Sequence, residues 1–282
     1  LIQFNYLKPR HNFIDITFGI EHPKRIHRDF MHLGFEIFIM LFFVGLLAGF
    51  IDSIAGGGGL ITLPALLSVG MPPHLALGTN KLQGTFGVCT AAVNFVRKGK
   101  VDLKECSLGI LATLMGASIG ALTIQWLDSQ FLSHLVPFLL LFVFIYTVFS
   151  RNLGLEETKA KINAPLYYLL FGLVLGFYDG FFGPGTGAFW TASLLILLGY
   201  HLTKAVGVTK IMNFTSNLVA LVVFSVAGHV HIYVGVTMAA GQVIGARLGS
   251  NMAIKKGAGF IRPVFLSIVF LTIIRLFYIN YF

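Results

Sequence analysis

Ile211–Ala246 is a run of 36 residues without one Asp, Glu, Lys or Arg. A membrane-spanning helix needs about 20 mainly apolar residues, so this run is too long for one span. Gly228-His229-Val230-His231 is the natural turn within it. The rest of the chain has the same character. Of 282 residues, 11% are charged, 56% belong to the set AVILMFWYC, and 28 are Phe. A soluble domain carries about 25% charged residues, so this chain could not cover a water-facing surface. Disorder is excluded by the same numbers, as is a soluble enzyme of ordinary type. The fold class is an all-α polytopic membrane protein.

Further apolar runs divide the chain. Phe35–Ile51 is broken only by Glu36, and Leu82–Val96 ends on Arg97-Lys98. Ser107–Ile124, Ser129–Ser150, Ile162–Tyr178 and Phe260–Tyr281 follow the same pattern. With the 36-residue run counted twice, about eight spans result. Ser53–Asn80 and Gly180–Thr203 are different: uncharged, but rich in Gly and Pro. Each contains a short apolar piece, Leu60–Val69 and Ala188–Leu198, about 15 Å long if helical. These predict half-helices or re-entrant segments, tolerated at membrane depth where protein or a water-filled cavity covers them.

Net charge is +9. No basic stripe or nucleic-acid motif accompanies it, so loop lysines obeying the positive-inside rule explain it better than a nucleic-acid partner. A cytoplasmic N-terminus places five Lys/Arg (Leu1–His32), four (Arg97–Lys104) and three (Arg151–Lys161) inside, against Lys255, Lys256 and Arg262 outside. Residues 1–30 form a basic segment outside the spans, without the apolar core of a signal peptide. Cys89 and Cys106 read as small core residues.

The halves repeat, residues 31–150 against 165–282, with a linker at 151–164. Gly49-Phe50-Ile51-Asp52 matches Gly176-Phe177-Tyr178-Asp179, and Gly56-Gly57-Gly58-Gly59 matches Gly183-Pro184-Gly185-Thr186, followed by Gly187. Thr79-Asn80-Lys81-Leu82 matches Val208-Thr209-Lys210-Ile211, and Gly116-x-x-x-Gly120-Ala121 matches Gly241-x-x-x-Gly245-Ala246. Offsets of 127, 129 and 125 make chance a poor explanation. An even count of four spans between equivalent points predicts two repeats of the same orientation. Paired Gly/Pro-interrupted segments are the best sequence pointer to a transporter site.

These same motifs, with Gly241-Gln242-x-x-Gly245-Ala246-Arg247-x-Gly249-Ser250, resemble the TauE/SafE family, closest to its YfcA-like branch, over about Met31–Phe282. The resemblance implies a bacterial inner-membrane transporter of sulfite, organosulfonates or related small anions.

The residues suggest how an anion would be held. Gly57, Gly58 and Gly59, with Gly185, Thr186 and Gly187, precede the short pieces, where free N–H groups at a helix start can cradle an oxyanion. Close helix packing is the plainer alternative. No strand or Gly-Lys-Ser/Thr supports a nucleotide loop, and no cofactor is called for. Lys81 and Lys210 fall in apolar spans, where ionisable groups are costly and by default functional. They can instead snorkel, or pair with Asp52 and Asp179 respectively. Lys210, Asn213 and Asn217 share one helix stripe with Ser216 beside it, and Lys81 has Asn80 and Gln83 nearby. Asp52 and Asp179 can cap the short helices or carry protons. Gln242 and Arg247 complete the set, Arg247 as an anion contact or an interfacial anchor. His229 and His231 are too few for a closed metal site.

The substrate is thus a small anion and the solvent a lipid bilayer; a homo-oligomer is left open. A channel is the second class. An intramembrane aspartyl protease is remote, because the Gly-x-Gly-Asp half of that signature is absent and catalysis needs two carboxyls sharing a proton.

Overall fold

The long apolar runs form helices, and glycine or proline ends them. The computed structural model describes residues 34–128, 131 and 159–256. They form α1 (Phe35–Ala55), α2 (Gly59–Ser68), α3 (Pro73–Arg97), α4 (Ser107–Gln125), α5 (Ala164–Phe181), α6 (Thr186–Leu197), α7 (Leu202–Val226) and α8 (Ile232–Lys256). No strand occurs among the described residues. Helices α1, α4, α5 and α7 are long and apolar enough to cross a membrane. Helices α3 and α8 have 25 residues each, about 37 Å of helix, and are more polar. The expected spans Ser129–Ser150 and Phe260–Tyr281 lie, in all but Phe131, outside the described residues, as do residues 1–33 and the linker to residue 158.

The turn in the 36-residue run falls as its sequence requires, with α7 ending at Val226 and α8 starting at Ile232. The two short pieces are the helices α2 and α6. Gly56 and Gly57 precede α2, and Gly183 and Gly185 precede α6, all at positive φ (75°, 144°, 101° and 83°). Only glycine takes such angles without strain, so the chain breaks there instead of continuing one rod. Pro72-Pro73 then starts α3, with proline at the first turn where its missing N–H costs nothing.

Helix directions follow from the glycine contacts. A Cβ on Gly45 would strike Met238, on Gly49 Gln242, and on Gly249 Phe50. These contacts rise together, so α1 and α8 are parallel. The same holds for α4 and α5, where Gly116 meets Leu173 and Gly120 meets Phe177. Leu82 lies against Gly235, Gly87 against Gln242, and Asn94 bonds Ser250, so α3 and α8 are parallel. Gly109 meets Met212 and Gln125 bonds His229, so α4 and α7 are parallel. But Gly78 meets Phe224, Gly84 meets Asn217, and Phe95 meets Gly207, so α3 and α7 are antiparallel.

Helices α1, α3 and α8 therefore run one way, and α4, α5 and α7 the other. Each repeat equivalent (α1 and α5, α3 and α7, α4 and α8) points opposite to its mate. This corrects the same-orientation expectation: the halves are inverted, with their pseudo-axis in the membrane plane. The cause is α2. It lies between two helices of one direction, so it and its flanking turns reverse the chain once and make the count odd. Helix α6 does the same between α5 and α7.

The inversion also sorts the loops. One face gathers the α3–α4 loop with Arg97, Lys98, Lys100 and Lys104, and the end of α8 with Lys255 and Lys256, joined through Asn94 and Asn251. Lys204 of α7 reaches it through a 2.9 Å ion pair to Glu105, and Lys161 through its N–H to Leu197. The opposite face holds the start of α1, the turn before α3, the end of α4 and the α7–α8 turn. Its described residues outside helices carry no Lys or Arg. The start of α1 is thus across from the basic loops. This departs from the expected grouping, which set Lys255 and Lys256 opposite Arg97–Lys104.

Small residues let these helices approach closely, as van der Waals packing in lipid requires. Trp190, Tyr167, Tyr168 and Phe95 are buried in one cluster around α6. Phe43, Leu111, Met115, Val174 and Val222 are exposed on the outside, where lipid is their solvent.

Candidate substrate cavity between the two helix breaks

The breaks meet. A Cβ on Gly56 would lie 2.7 Å from the Gly187 Cα, and one on Gly187 would lie 2.8 Å from the Gly56 Cα. Only a glycine pair permits this contact. Beside it is a small cavity lined by polar groups. From the breaks, Gly57, Gly58, Gly59, Gly183, Gly185 and Gly187 line it. From α3 come Asn80, Lys81 and Gln83, from α7 Asn213 and Asn217, and from α8 Gln242. Asp52, Asp179, Gly84 and Val88 complete the wall.

The lysines pair crosswise between the halves. Lys81 Nζ donates to Asp179 Oδ1 at 2.7 Å and to the Asp179 backbone oxygen. Lys210 Nζ donates to Asp52 Oδ2 at 3.1 Å and to the Asp52 backbone oxygen. The expected pairs, Lys81 with Asp52 and Lys210 with Asp179, are the wrong way round. Antiparallel crossing of α3 over α7 carries each lysine to the opposite half. There it meets the C-terminal end of α1 or α5, whose dipole favours a cation. Both lysines are buried, and Asp179 with them; the Asp52 side chain is 14% exposed.

The two carboxylates differ in their remaining partners. Asp52 Oδ1 accepts the N–H groups of Gly57 (3.0 Å) and Gly58 (3.2 Å), capping the start of α2 from across the break. Pro184 stands where the second repeat would offer the first of these donors, and proline has none. Asp179 Oδ2 accepts the Ser216 hydroxyl instead. The repeat mate of Ser216 is Gly87, so this arrangement exists in one half only.

The amides are incompletely satisfied. Asn80 Oδ1 accepts from Thr62 Oγ1 at 2.5 Å and from Gln83 Nε2 at 2.7 Å. Asn217 Nδ2 donates to the Asn213 backbone oxygen at 2.7 Å. The side-chain oxygens of Gln83, Asn213 and Gln242 are buried without a hydrogen-bond partner. Three orphaned amide oxygens on one cavity call for an occupant, since buried polar groups are otherwise paired. A turned amide offers N–H donors instead.

Several candidate residues lie elsewhere. Lys210 is sealed behind Asp52 and does not line the cavity, and Thr186 donates its hydroxyl to the Gly183 carbonyl. Arg247 Nη1 donates to Asn94 Oδ1 at 2.9 Å, tying α8 to α3 away from the cavity. His229 Nδ1 meets Gln125 Oε1 at 2.7 Å and its ring stacks on His74, on the face without basic loops. Burial, and then its neighbour His74, holds His229 below the ordinary histidine range. No cluster of three His, Cys, Asp or Glu able to hold a metal occurs among the described residues. Sequence reasoning did not pick Gly84, Val88 or Asn94. Asn94 was findable, as a polar side chain in an apolar span. Asp52 and Asp179 each engage a lysine and form no shared-proton dyad, so the geometry lacks what a protease needs.

These features define a class: a helical multi-pass membrane protein with inverted halves around a buried polar cavity. The family described as "Sulfite exporter TauE/SafE" matches residues 41–276, and the chain belongs to this family. A "Probable membrane transporter protein" of Haemophilus influenzae is 44% identical over 252 residues, covering 88% of this chain and 97% of that one. The "Probable membrane transporter protein YfcA" of Escherichia coli K12 is 42% identical over 225 residues, 80% of this chain and 84% of that one. A "Probable membrane transporter protein ORF9" of a Sinorhizobium species is 41% identical over 244 residues, 86% and 94% of the two chains. No solved structure matches.

Proposed function

We propose that the chain carries small sulfur oxyanions, sulfite or organosulfonates, across the bacterial inner membrane by alternating access. The observation that carries this reading is the cavity at the meeting of the two breaks. It joins the Lys81 ammonium, the amide groups of Gln83, Asn213 and Gln242, and glycine backbone at a helix start. With those amides turned to present N–H, they and the ammonium supply the donors that a desolvated oxyanion needs at a helix break. The family description, which names sulfite, supports the substrate class. Rocking of one half against the other about the Gly56–Gly187 contact would open the cavity to each side in turn.

The basic face looks into the cytoplasm, by the positive-inside rule, which sets the start of α1 on the periplasmic side. This differs from the cytoplasmic N-terminus expected from charge counting; the grouping of Lys255 and Lys256 with Arg97–Lys104 supports it.

A thermal-shift panel of sulfite, sulfate, thiosulfate, taurine, sulfoacetate and methanesulfonate tests the reading. A ligand that binds the native state raises its Tm, by about 2.7 kcal/mol of stabilisation at a hundred times Kd. The reading expects sulfite or a sulfonate to shift Tm, and flux of that anion into proteoliposomes. No shift by any of the six overturns it. Flux without saturation would favour a channel.

A further inference from the structure

The cavity is already neutral before an anion enters. Lys81 and Lys210 contribute two positive charges, and Asp179 and Asp52 cancel them. A monovalent anion entering this buried space would leave it with an uncompensated negative charge, which a low-dielectric site does not hold. Compensation must come from a proton or a cation. The proton has a built place on one side only.

Asp179 Oδ2 accepts the Ser216 hydroxyl, and the same Ser216 oxygen lies 3.1 Å from two further acceptors, the backbone oxygens of Met212 and Asn213. A proton on Asp179 Oδ2 can therefore be donated to Ser216 Oγ, while the serine hydrogen turns to Met212 or Asn213. No polar group is stranded in either state. Asp52 is built the opposite way. Its Oδ1 accepts two backbone N–H groups and its Oδ2 the Lys210 ammonium, all of which favour the charged form. Among the described residues, no hydroxyl bonds the Asp52 carboxylate as Ser216 bonds Asp179.

We infer that Asp179 is the coupling group: its carboxylate binds one proton as a monovalent anion enters, releasing Lys81 to hold that anion. The inference rests on the anion reading above. The step balances, since carboxylate plus proton gives the neutral acid, no electron moves, and the site stays neutral. Among the described residues, the groups facing Asp179 are these. Helix α3 brings Lys81, α7 brings Ser216, α4 meets this turn with Ala117, and the break after α5 brings glycines. Tyr178, the neighbour on α5, donates its hydroxyl to the Pro184 carbonyl. Lys210 and Asp52 form the pair in the other half. Ser216 is a positioning residue that gives the proton a partner; Asp52 is a structural cap.

The test counts protons on binding. Methanesulfonate carries one charge that does not titrate, and uptake is read with an indicator dye in weakly buffered detergent solution. The wild type is expected to take up about one proton per bound anion, with affinity falling about tenfold per pH unit wherever that uptake is seen. Asp179→Asn is expected to bind with no proton uptake and no pH dependence. Asp52→Asn is expected to keep both, and Ser216→Ala to shift the pH midpoint while keeping the stoichiometry. Wild-type binding without proton uptake overturns this inference and leaves the anion reading standing. Loss of uptake in Asp52→Asn with retention in Asp179→Asn overturns the assignment. Failure of every anion in the panel to bind overturns both.

Discussion

Replacing Lys81 with Met should cost far more stability than replacing both partners of its ion pair. In Lys81→Met the Asp179 carboxylate stays buried, its side chain 3% exposed. Its remaining side-chain partner is the Ser216 hydroxyl. Breaking one side of a buried pair costs about 3–5 kcal/mol, a factor of roughly 10² to 10⁴ in the folded ratio. In Lys81→Met with Asp179→Leu, the uncompensated charge is gone, and hydrophobic replacement of a buried pair is about neutral. Lys210→Met should cost less, about 2 kcal/mol, the worth of hydrogen bonds to a charged group. There Asp52 keeps two backbone N–H donors and some access to solvent. The assay is equilibrium unfolding of the purified proteins in mixed micelles with rising SDS. Equal losses for Lys81→Met and the double variant would mean that no uncompensated charge is left at Asp179, and Lys210→Met proving the costlier single change would mean that the two pairs are ranked wrongly.

Other outcomes follow from the same geometry. Gly187→Val places a side chain on the Gly56 backbone, with its Cβ 3.0 Å from Asn213 Nδ2, and should abolish transport in proteoliposomes with a clear fall in Tm. Unchanged flux would mean the breaks do not enclose the site. Acidification should destabilise the face that carries His229. A histidine held below its ordinary value gives stability that is complete above about pH 6.5 and lost as pH falls through the folded value. His229→Gln should flatten the Tm-against-pH curve in that acid range; an unaltered slope removes His229 as its source. In a background without Cys89 and Cys106, cysteines at positions 100 and 256 should label from the same side of the membrane and one at 128 from the other, by an impermeant maleimide. Labelling of 100 and 256 from opposite sides would refute the helix directions.

Much of this architecture is written in the chain because glycine and proline have local effects. Gly56-Gly57 and Gly183-Pro184-Gly185 break helices wherever they stand, so both short helices and their place beside Asp52 and Asp179 could be read directly. The duplication was legible for the same reason. Its handedness was not. The reversal made by Gly59–Ser68 depends on where the next helix packs, and a 10-residue apolar piece has no sequence mark for that. One such reversal changes an even count to an odd one, and the orientation of the second half changes with it. The crosswise pairing of Lys81 and Lys210 was hidden for a linked reason. Each partner lies 98 or 158 residues away. Only the antiparallel crossing of α3 and α7 brings them together. Arg247 and Asn94 show the same limit: either reads as a site residue alone, and together they form a tie between helices.

Everything depends on the anion sitting in this cavity. Direct calorimetric titration of sulfite or methanesulfonate into the Lys81→Met, Asp179→Leu double variant addresses it, because that protein should stay folded while its cavity loses the ammonium. Saturable binding is expected in the wild type and none in the variant at the same concentrations, with unfolding curves that superimpose. Undiminished affinity in the folded variant would contradict it.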